Sequence, residues 1–358
     1  MDPVVLIMAG GRGERFWPRS TVQNPKQLQK VYSDRTLLQE TFERARNLTD
    51  PSRIFVGCNP ALKQAILDSH SEFGPDQFVV EPQGRNTAPI VALAALQLER
   101  RFPGAVQIVL SADHYIAPPD EWQATMRRAV AVAEAGWLVT LGVRPSRPET
   151  GYGYIAAGQA LDSVPDSGAF QIESFVEKPD LARARDYFPR DNFYWNSGIF
   201  IWSGPRIIEE FKAHAPAILE PLEQDEAFAD DSRLATVFPT LPEEPVDIAI
   251  MEKSSSIAMI PASFTWDDVG SWLSLERIVE ADPTGNVMVG QDGTKLVARG
   301  ATGNIVVVGH KLVALQGVEN LILVERDDVL YVANRDSVGE IKSLLAEMRK
   351  NPSLQNHL

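Results

Sequence analysis

From Val4 to Leu141 short apolar, β-branched runs alternate with longer stretches in which apolar residues recur three and four positions apart. The first kind, Val4 to Met8, Arg53 to Val56, Phe78 to Val80, Val106 to Leu110 and Trp137 to Leu141, reads as strands. The second, Leu37 to Asn47, Ala61 to His70, Ala88 to Arg101 and Glu121 to Ala135, reads as helices. Alternation of this kind builds βαβ units, and it predicts a doubly wound, mostly parallel α/β sheet.

Beyond Leu141 the order loosens. A Gly/Tyr cluster at residues 151–154 precedes strand-like stretches at Gln171 to Val176 and Phe193 to Trp202, with helical patterns at Arg206 to His214 and Ser271 to Glu280. These read as an insertion wrapped around the same sheet, which places a first domain at residues 1–283. After Pro283 short strands recur at Val287 to Val289, Lys295 to Val297, Ile305 to Val308, Lys311 to Leu315, Leu321 to Val324 and Val329 to Val332, separated by Gly, Asp and Asn. That spacing predicts a β-helix-like or small meander module over 284–358, closed by an amphipathic helix at Val338 to Arg349.

Composition narrows the function. Lys and Arg number 34 against 48 Asp and Glu, a net charge of -14, which argues against a nucleic-acid or anionic-membrane binder. An anionic ligand therefore needs a local basic pocket. The lone cysteine, Cys58, excludes an internal disulfide and a cysteine-based zinc site and fits a reducing compartment. The apolar run Val4 to Ala9 has no basic flank and is too short for a signal peptide or a membrane span, so a cytoplasmic location is expected.

The first strand runs into Gly10-Gly11-Arg12-Gly13, and residues 12–30 carry Arg12, Arg15, Arg19, Lys26 and Lys30 against Glu14 alone. Glycines there let backbone N–H groups approach a phosphate chain. This is the basic pocket the composition requires. It is not a P-loop, because no glycine-spaced Gly-Lys-Ser/Thr string occurs. Nor is it a dinucleotide fingerprint, because Phe16 stands where the third glycine would fall.

The string from Met8 to Ser20, with Trp17-Pro18 and the later Asn24-Pro25-Lys26-Gln27, resembles the signature loop of the sugar-1-phosphate nucleotidylyltransferases, specifically the mannose-1-phosphate guanylyltransferases. Glu14 stands where many relatives carry Thr. Further blocks resemble the same family in the same order: Glu81 to Pro89 its nucleobase loop, and Val109 to His114 the strand end that carries a metal-binding Asp. Pro148 to Ile155, Phe175 to Pro179, Trp195 to Gly198 and Trp266 to Trp272 resemble its sugar-phosphate and second metal segments.

The resemblance implies a Rossmann-like nucleotidyltransferase domain, GTP and mannose 1-phosphate as substrates, and Mg²⁺, or another divalent cation such as Mn²⁺, held by Asp113 and Asp268. It implies that Arg15 and Lys26 hold GTP phosphates, with Ala9, Gly10, Gly11, Gly13 and Asp113 also lining the nucleotide. Lys178 resembles the family lysine on the sugar phosphate, with Gly151 nearby, and Glu177 and Asn196 resemble groups that read sugar hydroxyls. Glu81 is chemically apt for the N–H donors of guanine, with Gly84, Asn86 and Thr87 completing the base site. A homodimer is expected by the same resemblance and by the frequency of two-fold oligomers.

Plainer readings stand beside these. Asp113 also reads as a turn or helix N-cap residue before Pro118 and Pro119, Asp268 as part of a solvated loop beside Asp267, Glu177 and Lys178 as an exposed pair, and Asn86-Thr87 as a helix cap. Two rival functions remain open: a glucose 1-phosphate enzyme using UTP, dTTP or ATP, and a catalytically silent sugar-nucleotide sensor. A phosphomannose isomerase domain, carried by some relatives, has no room after the terminal helix, so no isomerase activity is expected.

Overall fold

The computed structural model describes residues 2–11, 13–290 and 294–358; Arg12 of the glycine loop lies outside them. The strands are β1 (Val4–Met8), β2 (Ile54–Cys58), β3 (Phe78–Val80), β4 (Val106–Ser111), β5 (Tyr115–Ala117), β6 (Leu138–Val143), β7 (Tyr154–Ala160), β8 (Phe170–Val176), β9 (Phe193–Ser203), β10 (Ile257–Pro261), β11 (Thr265–Asp267), β12 (Val287–Val289), β13 (Lys295–Arg299), β14 (Ile305–Val307), β15 (Leu312–Gln316), β16 (Leu321–Arg326) and β17 (Val329–Asn334). The chain divides into two compact units. The first holds residues 1–10, 41–111 and 116–266; the second holds 11–40, 112–115 and 267–358. Both are discontinuous, so packing follows a different division from a single cut after residue 283.

In the first unit nine strands form one sheet in the order β3-β2-β1-β4-β9-β6-β10-β8-β7. Strands β3, β2, β1 and β4 are parallel, as the alternating pattern requires. Their cores are continuous apolar runs because helices cover both faces of such a sheet; Val4, Val5, Leu6 and Ile7 are all buried. The sheet as a whole is mixed, which corrects the expectation of a mostly parallel one. The long strand β9 runs antiparallel to both β4 and β6, and β7 and β8 form an antiparallel pair. Only β6 and β10 restore a parallel neighbour there.

The helix Thr87–Arg101 is buried from Ala88 through Leu96, so it reads as apolar all round rather than as a stripe. It packs against the helices Gly204–His214 and Pro216–Glu223 in the core that also holds Trp202, Phe211 and Phe238. Cys58 lies buried in β2, where burial pushes its thiol up to about 12 and leaves it inert.

In the second unit the C-terminal region is β-rich. Strands β12, β14 and β16 are parallel neighbours, and Val287, Ile305 and Ile322 stand side by side at intervals of 18 and 17 residues. Strands β13 and β15 form a separate parallel pair, and β17 closes the larger sheet antiparallel to β16. Two buried asparagines tie successive turns: Asn304 Nδ2 donates to Asn286 Oδ1 at 2.8 Å, and Leu321 N–H donates to Asn304 Oδ1 at 3.0 Å. The helix expected at 271–280 is reduced to a 3-10 turn and a four-residue helix, Leu275–Ile278, because Trp272 and Leu275 are drawn into this unit's core.

That core also contains Phe16, Trp17, Val31 and Leu37. Trp272 Nε1 donates to the Trp17 carbonyl at 3.1 Å, and its ring stands 4.7 Å from that of Phe16. Trp17 Nε1 donates to the His357 carbonyl at 2.7 Å, and Arg326 donates to the Pro18 carbonyl at 3.1 Å. Glu14 pairs with Arg349 at 2.7 Å. The segment after β1 is thus braced by the end of the chain.

Candidate active site

In the second unit a cation stands between two acidic residues that are 155 positions apart in the chain. Lys26 is 6% exposed, and its ammonium lies 2.7 Å from Asp113 Oδ2 and 3.3 Å from the Asp268 carbonyl oxygen, with the Phe16 ring 4.9 Å away. Burial works against the Asp113 charge, but Lys26 and then His114 outweigh it and hold its pKa below the ordinary value. Asp113 caps no helix; Pro118 occupies the N-cap of the helix Pro119–Glu134.

The neighbours Asp267 and Asp268 take different roles. Asp267 is buried and committed: its Oδ1 accepts from Val269 N–H at 2.8 Å and its Oδ2 from Arg277 Nε at 2.5 Å. Val269 is held at φ +46°, a costly conformation for a β-branched residue. A Cβ on Gly270 would stand 2.7 Å from Asp268 Oδ2, so glycine there leaves room for that carboxylate. A Cβ on Gly13, which sits at φ +61°, would run into Lys26 Cβ. Around Gly11 a Cβ would meet only open space, and Arg15 is exposed.

In the first unit a polar cluster gathers Asn196, Glu177 and Asp247. Asn196, at 7% exposure, accepts at Oδ1 from Gly198 N–H at 3.2 Å and Thr140 Oγ1 at 2.9 Å, and donates through Nδ2 to Asp247 Oδ1 at 2.8 Å. Glu177 pairs with Lys178 at 2.8 Å, the lysine exposed and the glutamate nearly enclosed. Burial, and then the Glu177 charge, push Asp247 up to about 7. A Cβ on Gly153 would stand 2.6 Å from Glu177 Oε2 and 3.3 Å from Asn196 Cβ. Gly151 turns its N–H onto Glu149 at 2.9 Å.

The same unit carries Glu81, which follows β3, the strand next to β2. It is 6% exposed, its Oε2 is buried without a partner among the described residues, and burial pushes it up to about 7. Gly84 lies alongside, with a hypothetical Cβ 4.0 Å from Glu81 Oε1. Asn86 caps its helix by accepting from Thr87 N–H at 2.9 Å, and Thr87 Oγ1 accepts from Val246 N–H at 2.8 Å. Capping therefore occupies Asn86 Oδ1, while Thr87 Oγ1 is held by the distant Val246 N–H. Ala9 is buried, its N–H donating to the Gly57 carbonyl at 2.9 Å, and Gly10 beside it has only open space where a Cβ would stand.

The family model described as nucleotidyl transferase matches residues 4–285. The chain belongs to the nucleotidyl transferase family. Within it, the chain groups with the mannose-1-phosphate guanylyltransferases. It is 36% identical over 97% of its length to the xanthan biosynthesis protein XanB of Xanthomonas campestris pv. campestris (strain B100), of which it covers 73%. It is 36% identical over 96% of its length to a mannose-1-phosphate guanylyltransferase of Escherichia coli (strain K12), again covering 73% of that protein. The crystal structure of a mannose-1-phosphate geranyltransferase from Thermus thermophilus superposes with a TM-score of 0.88 at 32% identity, covering 98% of this chain and all of that one.

As a nucleotidyl transferase the chain needs a place for polyphosphate charge, and the second unit fits a divalent cation. Hard cations take oxygen ligands and often only one or two carboxylates beside substrate phosphates. The Asp113 carboxylate is such a donor, and the Lys26 ammonium, held between it and the Asp268 backbone carbonyl, marks a cation-accepting position; the Asp268 carboxylate itself lies beside Gly270. Among the described residues no group of three or more His, Cys, Asp or Glu forms a ready ligand set. No described helix of this transferase is long and apolar enough to cross a membrane. Asp247 escaped the sequence reading. Its signal is one acid inside the apolar stretch from Val246 to Met251, which has neither helical nor strand period.

Proposed function

We propose that the chain transfers a guanylyl group from GTP to mannose 1-phosphate, releasing pyrophosphate and forming GDP-mannose. The observation that carries this reading is the Lys26 ammonium between the Asp113 carboxylate and the Asp268 backbone carbonyl, in the signature segment of a chain of this family. The sugar phosphate is largely dianionic near neutrality, its second pKa lying near about 6, so it needs no general base. Its oxygen forms the new bond to the α-phosphorus of GTP as the bond to the β-phosphate oxygen breaks, and the electron pair leaves with pyrophosphate. The barrier is the meeting of two polyanions, so positioning and charge neutralisation supply most of the acceleration.

Arg15 and Lys26 act on the GTP phosphates, the first with a bidentate fork and the second as a point charge. A divalent cation held by Asp113 and Asp268, Mg²⁺ or Mn²⁺, adds neutralisation of phosphate charge when bound. Ala9, Gly10, Gly11 and Gly13 supply backbone along the phosphates. Glu81 accepts from guanine N–H donors, with Gly84, Asn86 and Thr87 framing the base. Lys178 leaves Glu177 for the sugar phosphate beside Gly151, while Glu177 and Asn196 read hydroxyls. In this reading residues 1–283 form the catalytic domain, 284–358 a β-helix-like module, and the enzyme is a cytoplasmic homodimer, for which light scattering is the check.

The deciding experiment measures pyrophosphate release with Mg²⁺ across GTP, ATP, UTP and dTTP against mannose 1-phosphate and glucose 1-phosphate, with products identified by mass. A dominant GTP and mannose 1-phosphate signal is expected. Another winning pair overturns the base and sugar assignments, and silence in every combination favours a sensor.

A further inference from the structure

The polar cluster around Asn196 contains an acid, Asp247, beyond the Glu177 and Asn196 already assigned to the sugar. Asn196 has little choice in how it faces a ligand. The Gly198 N–H can only donate, so Oδ1 is fixed as its acceptor; the single Thr140 hydroxyl hydrogen lies within reach of that oxygen at 2.9 Å and of the Ile199 carbonyl at 3.0 Å. Asp247 takes one of the two Nδ2 hydrogens, which leaves a single N–H. Asp247 in turn keeps one oxygen, Oδ2, beyond this bond.

Asp247 begins a five-residue π-helical turn, Asp247–Met251, whose Ala249, Ile250 and Met251 are buried. Such turns are rare and occur frequently at functional sites. The turn sets the Asp247 carboxylate close enough to Glu177 for the two charges to repel, with Lys178 the cation that relieves them. Glu252, just past the turn, accepts from Glu177 N–H at 3.0 Å and so ties the two segments together. A nearly enclosed Glu177, a half-buried Asp247 and one fixed amide N–H are costly in a free protein, and hydroxyl donors from a sugar offset that cost.

We propose that Asp247 is a sugar-specificity residue: with Glu177 it accepts hydrogen bonds from neighbouring hydroxyls of an aldohexose 1-phosphate, and through Asn196 it orients the one donor that faces them. This deepens, and rests on, the reading that Glu177 and Asn196 hold the sugar. Epimers differ in where one hydroxyl points, and a site built to bond a hydroxyl rejects the analogue that leaves its acceptor unpaired.

The test is Asp247→Asn, which keeps the shape, removes the charge and lets the Asn196 contact persist only with a rotated amide. KM for mannose 1-phosphate is expected to rise about tenfold or more, and the preference over glucose 1-phosphate to fall comparably, since each lost hydroxyl bond is worth about that factor. KM for GTP and the melting temperature are expected to stay as in the wild type. Unchanged sugar-phosphate KM and preference overturn the proposal, as does an equal rise in both substrates' KM, which marks a structural role. If Asp247→Asn folds poorly, Asp247→Ser is read the same way. A wild type that prefers another sugar phosphate overturns the mannose reading instead, and the Asp247 comparison is then made on the preferred sugar.

Discussion

Glu81 illustrates how one side chain trades stability for recognition. Its pKa rises from 4.5 to about 7 because burial penalises its charge and only the Arg85 backbone N–H opposes that. A raised carboxyl means that the native state holds its proton more tightly than the unfolded chain does. The stabilisation is therefore complete below 4.5 and disappears as pH rises through about 7, a swing of about 3 kcal/mol at 1.36 kcal/mol per unit. Gln does not titrate, so in Glu81→Gln the difference in unfolding free energy between pH 5 and pH 8 is expected to shrink by about that amount. Denaturant titrations of both proteins at the two pH values check this, and an unchanged difference removes the buried-charge account. Guanine donors favour the ionised form, so wild-type GTP affinity is expected to weaken below about pH 7 and that of Glu81→Gln to be low and flat. Calorimetric titration with GTP across pH reads both.

Among the elements, the signature segment shows what glycine does by leaving space. Gly13 is left-handed at φ +61°, and a Cβ there would collide with Lys26 Cβ and, at 2.8 Å, with Ser20 Oγ. Gly13→Ala is therefore expected to displace the Lys26 ammonium from Asp113 and lower kcat by about 100-fold, the scale on which misplaced charge costs phosphoryl chemistry. Steady-state kinetics beside a circular dichroism melt separate this from unfolding. Lys26→Met addresses the same pair from the other side. With the ammonium gone, Mn²⁺ is expected to bind the nucleotide-free protein more tightly, detectable by electron paramagnetic resonance, while turnover collapses; weaker Mn²⁺ binding would show that Lys26 does not stand in for the cation.

The elements also show what the sequence makes legible. The bounds of β1, β3 and β12 match the expected runs residue for residue, because each is an apolar run; in β1 four of the five residues are buried, in β3 and β12 one of three. Strand direction leaves no such trace, so β9 reads as a strand but not as an antiparallel one. Strand β7 hides behind the Gly/Tyr cluster and ends in exposed residues, and β10 lies in an otherwise irregular stretch. For the site, the loop glycines and Lys26 are visible as chemistry, whereas the proposed pairing of Asp113 with Asp268 is implied only by resemblance. Asp247 was invisible because its partners Asn196 and Glu177 lie 51 and 70 residues away in the chain.

At the scale of the whole molecule, the two units give buried tryptophans different jobs, and that difference is measurable. Trp272 and Trp202 are both fully buried. Trp272 spends its indole N–H on the Trp17 carbonyl and sets its ring, tilted, against Phe16, within the core that carries the signature segment. Trp202, on β9, stacks 5.7 Å from Phe200, and its Nε1 has no partner among the described residues. Replacing Trp272 by Phe orphans a buried carbonyl at a cost of about 1–3 kcal/mol, and the strain falls on the loop that holds Lys26. Trp202→Phe removes contacts but no hydrogen bond. Both variants are expected to unfold at lower denaturant, but only Trp272→Phe is expected to raise KM for GTP several-fold. Equal KM values in the two variants would mean that the C-terminal core stabilises the fold without positioning the nucleotide loop.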